Sequence, residues 1–303
     1  MQLIHNDIVG FGPGICGYSA NYNPSNSSGL YHRICNALKR RYNIYVTRPR
    51  QEKKYMQSVA EAIKNGFRWI DYSCAYGDGR LFGAALRQGG VDRQELIITT
   101  RVSNYAQSNH CVREEFLNFL KNAQLEYVDI LQFHWPVTGL YLDTWREMEK
   151  LYEEGYVKHL GVANCHPHHL EEIYKICKHK PEVGQFEIHP LFTQKSLIEY
   201  YKQHDIQVCA YTPLARFDDR LMRLPLLKQI AVKYGKSNTQ IVLRWHIQNA
   251  VIPIVRTLNP AHQKENLDVF DFELTKDEMK AIDAININSR LRYNPDNCDF
   301  SIL

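Results

Sequence analysis

At 303 residues the chain is long enough for one α/β barrel, which commonly takes about 250 residues, or for two ordinary domains. Its 37 basic and 33 acidic residues leave a net charge of +4, too mild to argue for a nucleic-acid partner, and 44% apolar content is that of a globular protein. No apolar run reaches the ~18 residues of a membrane span, and the start MQLIHNDIVGFGPG lacks the basic-then-apolar order of a signal peptide, so no membrane partner and no secretion are expected. The cysteines, Cys16, Cys35, Cys74, Cys111, Cys165, Cys177, Cys209 and Cys298, form no Cys-x-x-Cys pair. Scattered in this way they are expected to be reduced, in a cytoplasmic protein.

Taken in chain order, short β-branched or aromatic runs alternate with longer amphipathic ones. The expected strands are Ile8–Phe11, Phe67–Asp71, Leu96–Arg101, Tyr127–Phe133, Val157–Val162, Val183–Glu187, Gln207–Tyr211 and Val251–Val255. Helices are expected near 52–65, 80–88, 110–124, 143–154, 167–178, 194–204 and 225–248, with one more, 275–285, after the last strand. Eight strands separated by helices imply a parallel sheet, and eight is the number that closes a (β/α)8 TIM barrel. An open doubly wound sheet would need a Gly-x-Gly-x-x-Gly turn opening a helix. GFGPGICG at 10–17 runs instead into an Asn/Ser-rich stretch, so the expectation is one barrel domain over 1–303.

One region breaks the rhythm, a long insertion after the first strand at 17–50. It begins with turn chemistry, GYSANYNPSNSSG, and continues with Arg33, Lys39, Arg40, Arg41, Arg48 and Arg50 and no acidic residue. Tyr31, Tyr42 and Tyr45 are interleaved with these charges. Loops on the strand-end face of a barrel border its mouth. Two readings stand: a solvated surface loop, or a basic lid suited to an anionic or sugar-linked carbonyl compound.

Polar residues collect at the strand ends. GFRWIDYSCAYGDGR at 66–80 ends a strand in Asp71 and brings Tyr76 five residues later. ELIITTR ends in Arg101, YVDILQFHWP gives His134, HLGVANCH gives Asn164, VGQFEIHP gives Gln185 and VCAYTPLA gives Tyr211. Each alone has a plain structural role, as a helix cap, a satisfied core histidine or a packed ring. Together Asp71, Tyr76, Arg101 and His134 make a chemical set. A phenol, pKa ~10, donates a proton near neutrality only where a cation stabilises its anion. Arg101 would be that cation, held by Asp71, and His134 would add a donor to the oxygen that the phenol protonates. The set suits proton delivery to a carbonyl under reduction and contains no hydride, so a cofactor must bring it.

Over about residues 55–300, together with GFGPG near the start, the sequence resembles the aldo-keto reductases, nicotinamide-dependent (β/α)8 barrels that reduce aldehydes and ketones. The motifs GFRWIDYSCAYGD, VDILQFHWP, GVANCHP, QFEIHPLFTQ and IPIVRTLNPAHQKENLDVFDFEL follow in the family's order and spacing. The resemblance implies that the family's catalytic tetrad falls on Asp71, Tyr76, Arg101 and His134. It also implies that Asn164 and Gln185 meet the nicotinamide carboxamide, that Tyr211 stacks under the ring and that Leu214 belongs to the same cofactor site. Arg256 and Thr257 match the adenosine 2′-phosphate site, and Glu265 and Asn266 match the adenine contacts. NADPH is therefore the implied cofactor, and NADH stays open because His262 stands where a second arginine is usual.

The departures from the pattern matter. Arg101 replaces the usual lysine, and a guanidinium is planar, bulkier and never deprotonated. Ala163 replaces a serine of the carboxamide site, and Arg101-Val102-Ser103 lacks the usual aromatic wall. The loop WPVTGLYLDTW after His134 is short and leaves the pocket open. An NADPH-dependent reductase of small carbonyl compounds is the leading expectation. A catalytically attenuated, nucleotide-binding regulatory member of the same family is the alternative. HPHH at 166–169 has a metal-like composition, but it begins a helix where the resembled family has no metal, so none is expected. Nothing in the sequence fixes the oligomeric state.

Overall fold

The computed structural model describes residues 8–13, 48–73 and 79–300. Eight parallel strands close into a barrel in sequence order. They are β1 (Gly10–Phe11), β2 (Trp69–Asp71), β3 (Ile97–Val102), β4 (Val128–Phe133), β5 (Val157–Ala163), β6 (Val183–Glu187), β7 (Gln207–Tyr211) and β8 (Val251–Val255). β8 returns to β1 through the pairing of Gly10 with Ile254 and of Phe11 with Val255. The expected (β/α)8 barrel is the observed one. No helix among the described residues is long and apolar enough to cross a membrane.

The helices pack on the outer face of the sheet because each carries an apolar stripe. The helix Arg48–Lys64 buries Tyr55, Val59, Ala62 and Ile63, and Tyr141–Glu153 buries Trp145, Met148 and Leu151. These side chains join Phe82, Phe116, Leu160 and Leu243 in the main core. A second, smaller cluster of Trp69, Ile130, Val183, Cys209, Ile252 and Ile254 fills the barrel itself. Side chains alternate along a strand, so the inward row continues two residues further on. Two residues after Trp69, Ile130, Val183 and Cys209 stand Asp71, Gln132, Gln185 and Tyr211. On β3 the same row runs from Thr99, which accepts the Trp69 indole N–H at 2.8 Å, to Arg101. The apolar plug and the polar mouth are thus successive layers of one pleat.

Some expected boundaries move. Expected Ile8–Phe11 and Phe67–Asp71 shorten to Gly10–Phe11 and Trp69–Asp71. The single helix expected over 225–248 is two, Pro225–Tyr234 and Asn238–Gln248. Gly235, with φ +66°, ends the first in the left-handed region, and Ser237 caps the second by accepting the Gln240 N–H. Three further helices, Asn104–Ser108, Asp219–Met222 and Pro260–Leu267, lie in segments expected to be loops. The insertion at 17–50 lies outside the described residues up to 47. Its last residues correct the boundary: Arg48 and Arg50 form the first turn of the helix Arg48–Lys64, where Arg48 pairs with Glu52 at 2.8 Å.

The helix Gly79–Gln88, which follows the segment carrying Tyr76, is pressed against the helix Val112–Ala123. A Cβ placed on Gly83 would lie 1.9 Å from the Ala123 carbonyl oxygen, a backbone atom that no rotamer change can move. Gly83→Ala is therefore expected to destabilise the fold by about 1–3 kcal/mol through overpacking. Urea unfolding measures this, and an unchanged midpoint would contradict the close approach.

Candidate active site

The centre of the mouth is an ion pair. Arg101, on β3, is 2% exposed, and its Nη2 reaches Asp71 Oδ1 at 2.6 Å and Oδ2 at 2.7 Å. Its Nη1 donates to the Tyr72 carbonyl at 3.1 Å. Nη2 also donates to Gln185 Oε1, on β6 across the barrel. Gln185 Nε2 completes the triangle by donating to Asp71 Oδ2 at 3.5 Å. A charge this deeply buried persists only with such compensation. Nη2 alone thus serves Asp71 and Gln185, and the guanidinium's second nitrogen adds the Tyr72 carbonyl.

His134 follows β4 and is partly buried. Burial first, then the charges of Arg101 and Arg292, pull its pKa from 6.5 to about 3. The imidazole is therefore neutral near pH 7 and offers a hydrogen bond without a charge. Its backbone carbonyl accepts Asn164 Nδ2 at 3.0 Å, and Asn164 Oδ1 accepts the Tyr211 hydroxyl at 2.7 Å. Asn164 sits in the left-handed region, φ +60°, which asparagine tolerates better than most residues. Burial raises the Tyr211 phenol well above its ordinary value, so that group remains a hydrogen-bond donor.

Asp71, Arg101, His134, Asn164, Gln185, Tyr211, Leu214 and Arg256 line one cavity of about 490 Å³, with Ala163 in its wall. Tyr76 lies outside the described residues. Thr257, His262, Glu265 and Asn266 are not in that wall. They lie beyond β8, with His262 exposed, Asn266 buried and the Glu265 carboxylate accepting the Ser237 hydroxyl at 2.5 Å. Ser103, where the aromatic wall is missing, accepts the Ala106 N–H at 3.0 Å and caps the helix Asn104–Ser108.

The residues present suit a nicotinamide nucleotide. The loop after β7 holds Thr212, Ala215, Arg216 and Phe217 at φ between +48° and +60°, backbone strain of a kind that ligand-binding loops store. Thr212 lines the cavity, and its Oγ1 is buried with no hydrogen-bond partner among the described residues. A buried hydroxyl left unpaired beside a cavity suits a polar ligand group. Arg216 and Arg256 add cations on the same side.

Several wall residues were not singled out by the sequence: Trp135, Thr212, Arg216 and above all Arg292. Arg292 belongs to the tail beyond the last helix, where no periodicity marks it. Glu187, at the end of β6, accepts the Leu291 N–H at 2.6 Å and the Arg292 N–H at 2.9 Å. Burial alone would push the Glu187 carboxyl up, but hydrogen bonds from His189 and from those two backbone groups hold it below its usual range. Elsewhere, His168, His169 and Asp296 bring ligating atoms within 4.8 Å of one another. His169 Nδ1, however, accepts the His166 N–H at 3.1 Å, so in the neutral ring the proton stays on Nε2 and the imidazole serves as a helix cap.

The family model described as "Aldo/keto reductase family" matches residues 42–287. The chain is 42% identical over 240 residues to a glyoxal reductase of Bacillus subtilis, covering 79% of this chain and 86% of the relative. It is 40% identical over 241 residues to a 9,11-endoperoxide prostaglandin H2 reductase of Trypanosoma cruzi, covering 79% and 85%. Among solved structures, an aldo-keto reductase enzyme from a Medee basin deep-sea metagenome library superposes with a TM-score of 0.78 at 34% identity, over 81% of this chain and 91% of that one.

The His134 geometry yields a pH prediction. Its folded pKa, about 3, lies below its ordinary value of 6.5, so between the two the unfolded chain binds the extra proton. Its contribution to stability is complete above pH 6.5 and is lost as pH falls toward 3. Proton NMR of the ring should show no titration of His134 between pH 5 and 8, and His134→Gln should flatten the acid limb of the stability profile. A His134 resonance titrating near 6.5 would contradict the buried, cation-flanked placement.

Proposed function

The chain belongs to the aldo/keto reductase family and is a carbonyl-reducing oxidoreductase, and on that premise we propose that NADPH is its cofactor and Tyr76 its proton donor. The observation that carries this reading is the convergence of Asp71, Arg101, His134, Asn164, Gln185 and Tyr211 on one cavity at the C-terminal ends of the strands. Barrel enzymes do their chemistry at that face. The substrate is a small aldehyde or ketone, as the name of the glyoxal reductase suggests for that relative. A polar carbonyl, anionic or sugar-linked, suits a wall with four arginines and one carboxylate. We read the chain as one barrel domain, and the free thiols of its five described cysteines suit a reducing, cytoplasmic setting.

Bound in this cavity, the reduced nicotinamide supplies the hydride. Asn164 and Gln185 would hold the carboxamide, and Tyr211 and Leu214 would hold the nicotinamide end of the nucleotide. Arg256, Thr257 and His262 would hold the 2′-phosphate, and Glu265 and Asn266 the adenine. Arg256, a planar fork, grips a phosphate bidentately and thereby favours NADPH over NADH. Tyr76 gives its proton to the carbonyl oxygen as charge develops there. Arg101, fixed by Asp71, lowers the cost of the phenolate, and neutral His134 donates a second hydrogen bond to the same oxygen.

One observation favours the competing reading of an attenuated, nucleotide-binding member. Gln185 Oε1, which the carboxamide would use, is already engaged by Arg101. With Ala163 in place of a hydroxyl, the carboxamide grip then falls mainly on Asn164.

NADPH fluorescence quenching followed by a carbonyl panel separates the two. Tyr76→Phe should leave nucleotide affinity nearly unchanged and reduce kcat at least a hundredfold, in the ~10²–10⁴-fold range of a lost general acid. A variant that keeps most of its turnover would assign the proton to another group. Nucleotide binding without turnover in the unmodified protein would favour the attenuated reading.

A further inference from the structure

Arg292 enters the cavity from outside the strand-and-loop pattern of the barrel. It lies beyond the last helix, Lys276–Asp283, yet lines the same wall as Arg101, His134 and Trp135. Its backbone is fixed. Glu187 accepts the N–H groups of Leu291 and Arg292, at 2.6 and 2.9 Å, and His189 Nε2 holds the same carboxylate at 3.0 Å. The Glu187 and His189 side chains are both wholly buried. A buried carboxylate that takes two consecutive backbone N–H groups fixes the peptide from which Arg292 projects. The next residue, Tyr293, meets the Trp135 ring edge-on with centroids 6.5 Å apart, which ties the tail to the β4 end a second time.

The side chain of Arg292, by contrast, has no anionic partner. Its guanidinium lies 5.9 Å from the Tyr293 ring, and among the described residues no carboxylate pairs with it. Among the described residues the one carboxylate in the cavity wall, Asp71, is already held by Arg101. Arg216 and Arg256 follow β7 and β8, the side assigned above to the nucleotide. Arg290, two residues earlier, stacks on Phe192 at 4.6 Å and is not part of the wall. Arg292 is therefore the cation left beside His134 and Trp135, and its charge contributes to keeping His134 neutral.

We infer that Arg292 is the anion-recognising residue of the substrate site, so that the carbonyl compounds this protein reduces carry a carboxylate or phosphate that Arg292 grips while the carbonyl oxygen lies at His134. The inference rests on the carbonyl-reductase reading and narrows its substrate class. A guanidinium fork matches two oxygens of either group, and pairing inside a partly enclosed cavity is screened less than at the surface. Glu187 acts through Arg292 and is a positioning residue.

The test uses two matched pairs, 4-oxobutanoate against butanal and glyceraldehyde 3-phosphate against glyceraldehyde, with the unmodified protein, Arg292→Leu and Arg292→Lys. In parallel, tryptophan fluorescence follows the binding of unreactive succinate and inorganic phosphate to the NADP⁺-loaded protein. Arg292→Leu should raise KM for the charged member of at least one pair about tenfold to a hundredfold, the worth of a charge-assisted pair. The uncharged members, kcat and nucleotide affinity should be nearly unchanged, the matching inert anion should bind correspondingly more weakly, and Arg292→Lys should keep part of the effect. A response in the first pair assigns a carboxylate, and in the second a phosphate. Equal changes in charged and uncharged members, or no change in any, overturn the inference. If no carbonyl compound is reduced but an inert anion binds and Arg292→Leu abolishes that binding, the anion site stands and the carbonyl reading falls. If Arg292→Leu leaves anion binding intact while turnover is normal, the inference alone fails.

Discussion

A guanidinium and a carboxylate buried at the mouth of a barrel constrain everything around them. Taking both charges out of water costs several kcal/mol per ion, and only close geometry with further hydrogen bonds repays it. Arg101 meets that demand by engaging Asp71 with both carboxylate oxygens, the Tyr72 carbonyl and Gln185. Because those partners stand on β2 and β6, the one side chain links opposite walls of the barrel. Burial keeps His134 neutral in the first place, and the Arg101 charge reinforces it, so the ion pair and the neutral imidazole support one another.

The substitution of arginine for the family's lysine then has a definite physical meaning. The guanidinium engages Gln185, the glutamine proposed above for the nicotinamide carboxamide. The same mouth has lost a hydroxyl at Ala163 and an aromatic wall at Ser103, and Ser103 now caps a short helix. Under the proposed reading these changes bear on how cofactor and substrate would be held, while the Asp71–Arg101 pair stays beside His134 in one cavity. A second buried carboxylate, Glu187, plays the corresponding part for the tail and brings Arg292 to the opening.

The barrel was legible because apolar runs of strand length recur with helical stretches between them, and the inward row of each strand passes from Trp69, Ile130, Val183 and Cys209 to Asp71, Gln132, Gln185 and Tyr211. Asp71, Arg101 and His134 were legible as strand-end residues for the same reason, together with motif spacing, whereas Tyr76 lies outside the described residues. What was not legible depended on long-range partners. Arg292 reads as one more basic residue in a tail until Glu187, more than a hundred positions earlier, is seen to hold its backbone. The break at Gly235 was available in the sequence: Gly235-Lys236-Ser237-Asn238-Thr239 holds no apolar residue, and Ser237 with Gln240 makes a capping box. The Asn259-Pro260 start of a helix is a cap signal that was available in the sequence: Asn259 Oδ1 accepts the Ala261 N–H at 3.0 Å. HPHH has a metal-like composition, whereas in the structure His169 Nδ1 accepts the His166 N–H and the His166 ring meets Asp296.

The central claim is that Asp71 and Arg101 work as a unit on which the mouth depends. A double-mutant cycle of Asp71→Asn, Arg101→Met and the double variant, read by urea unfolding, measures that directly. Each single change leaves one buried group uncompensated and should cost about 3–5 kcal/mol of stability. The double variant should lose much less than the sum of the two. Losses that add to within about 0.5 kcal/mol would show that the two groups act independently and would contradict the account.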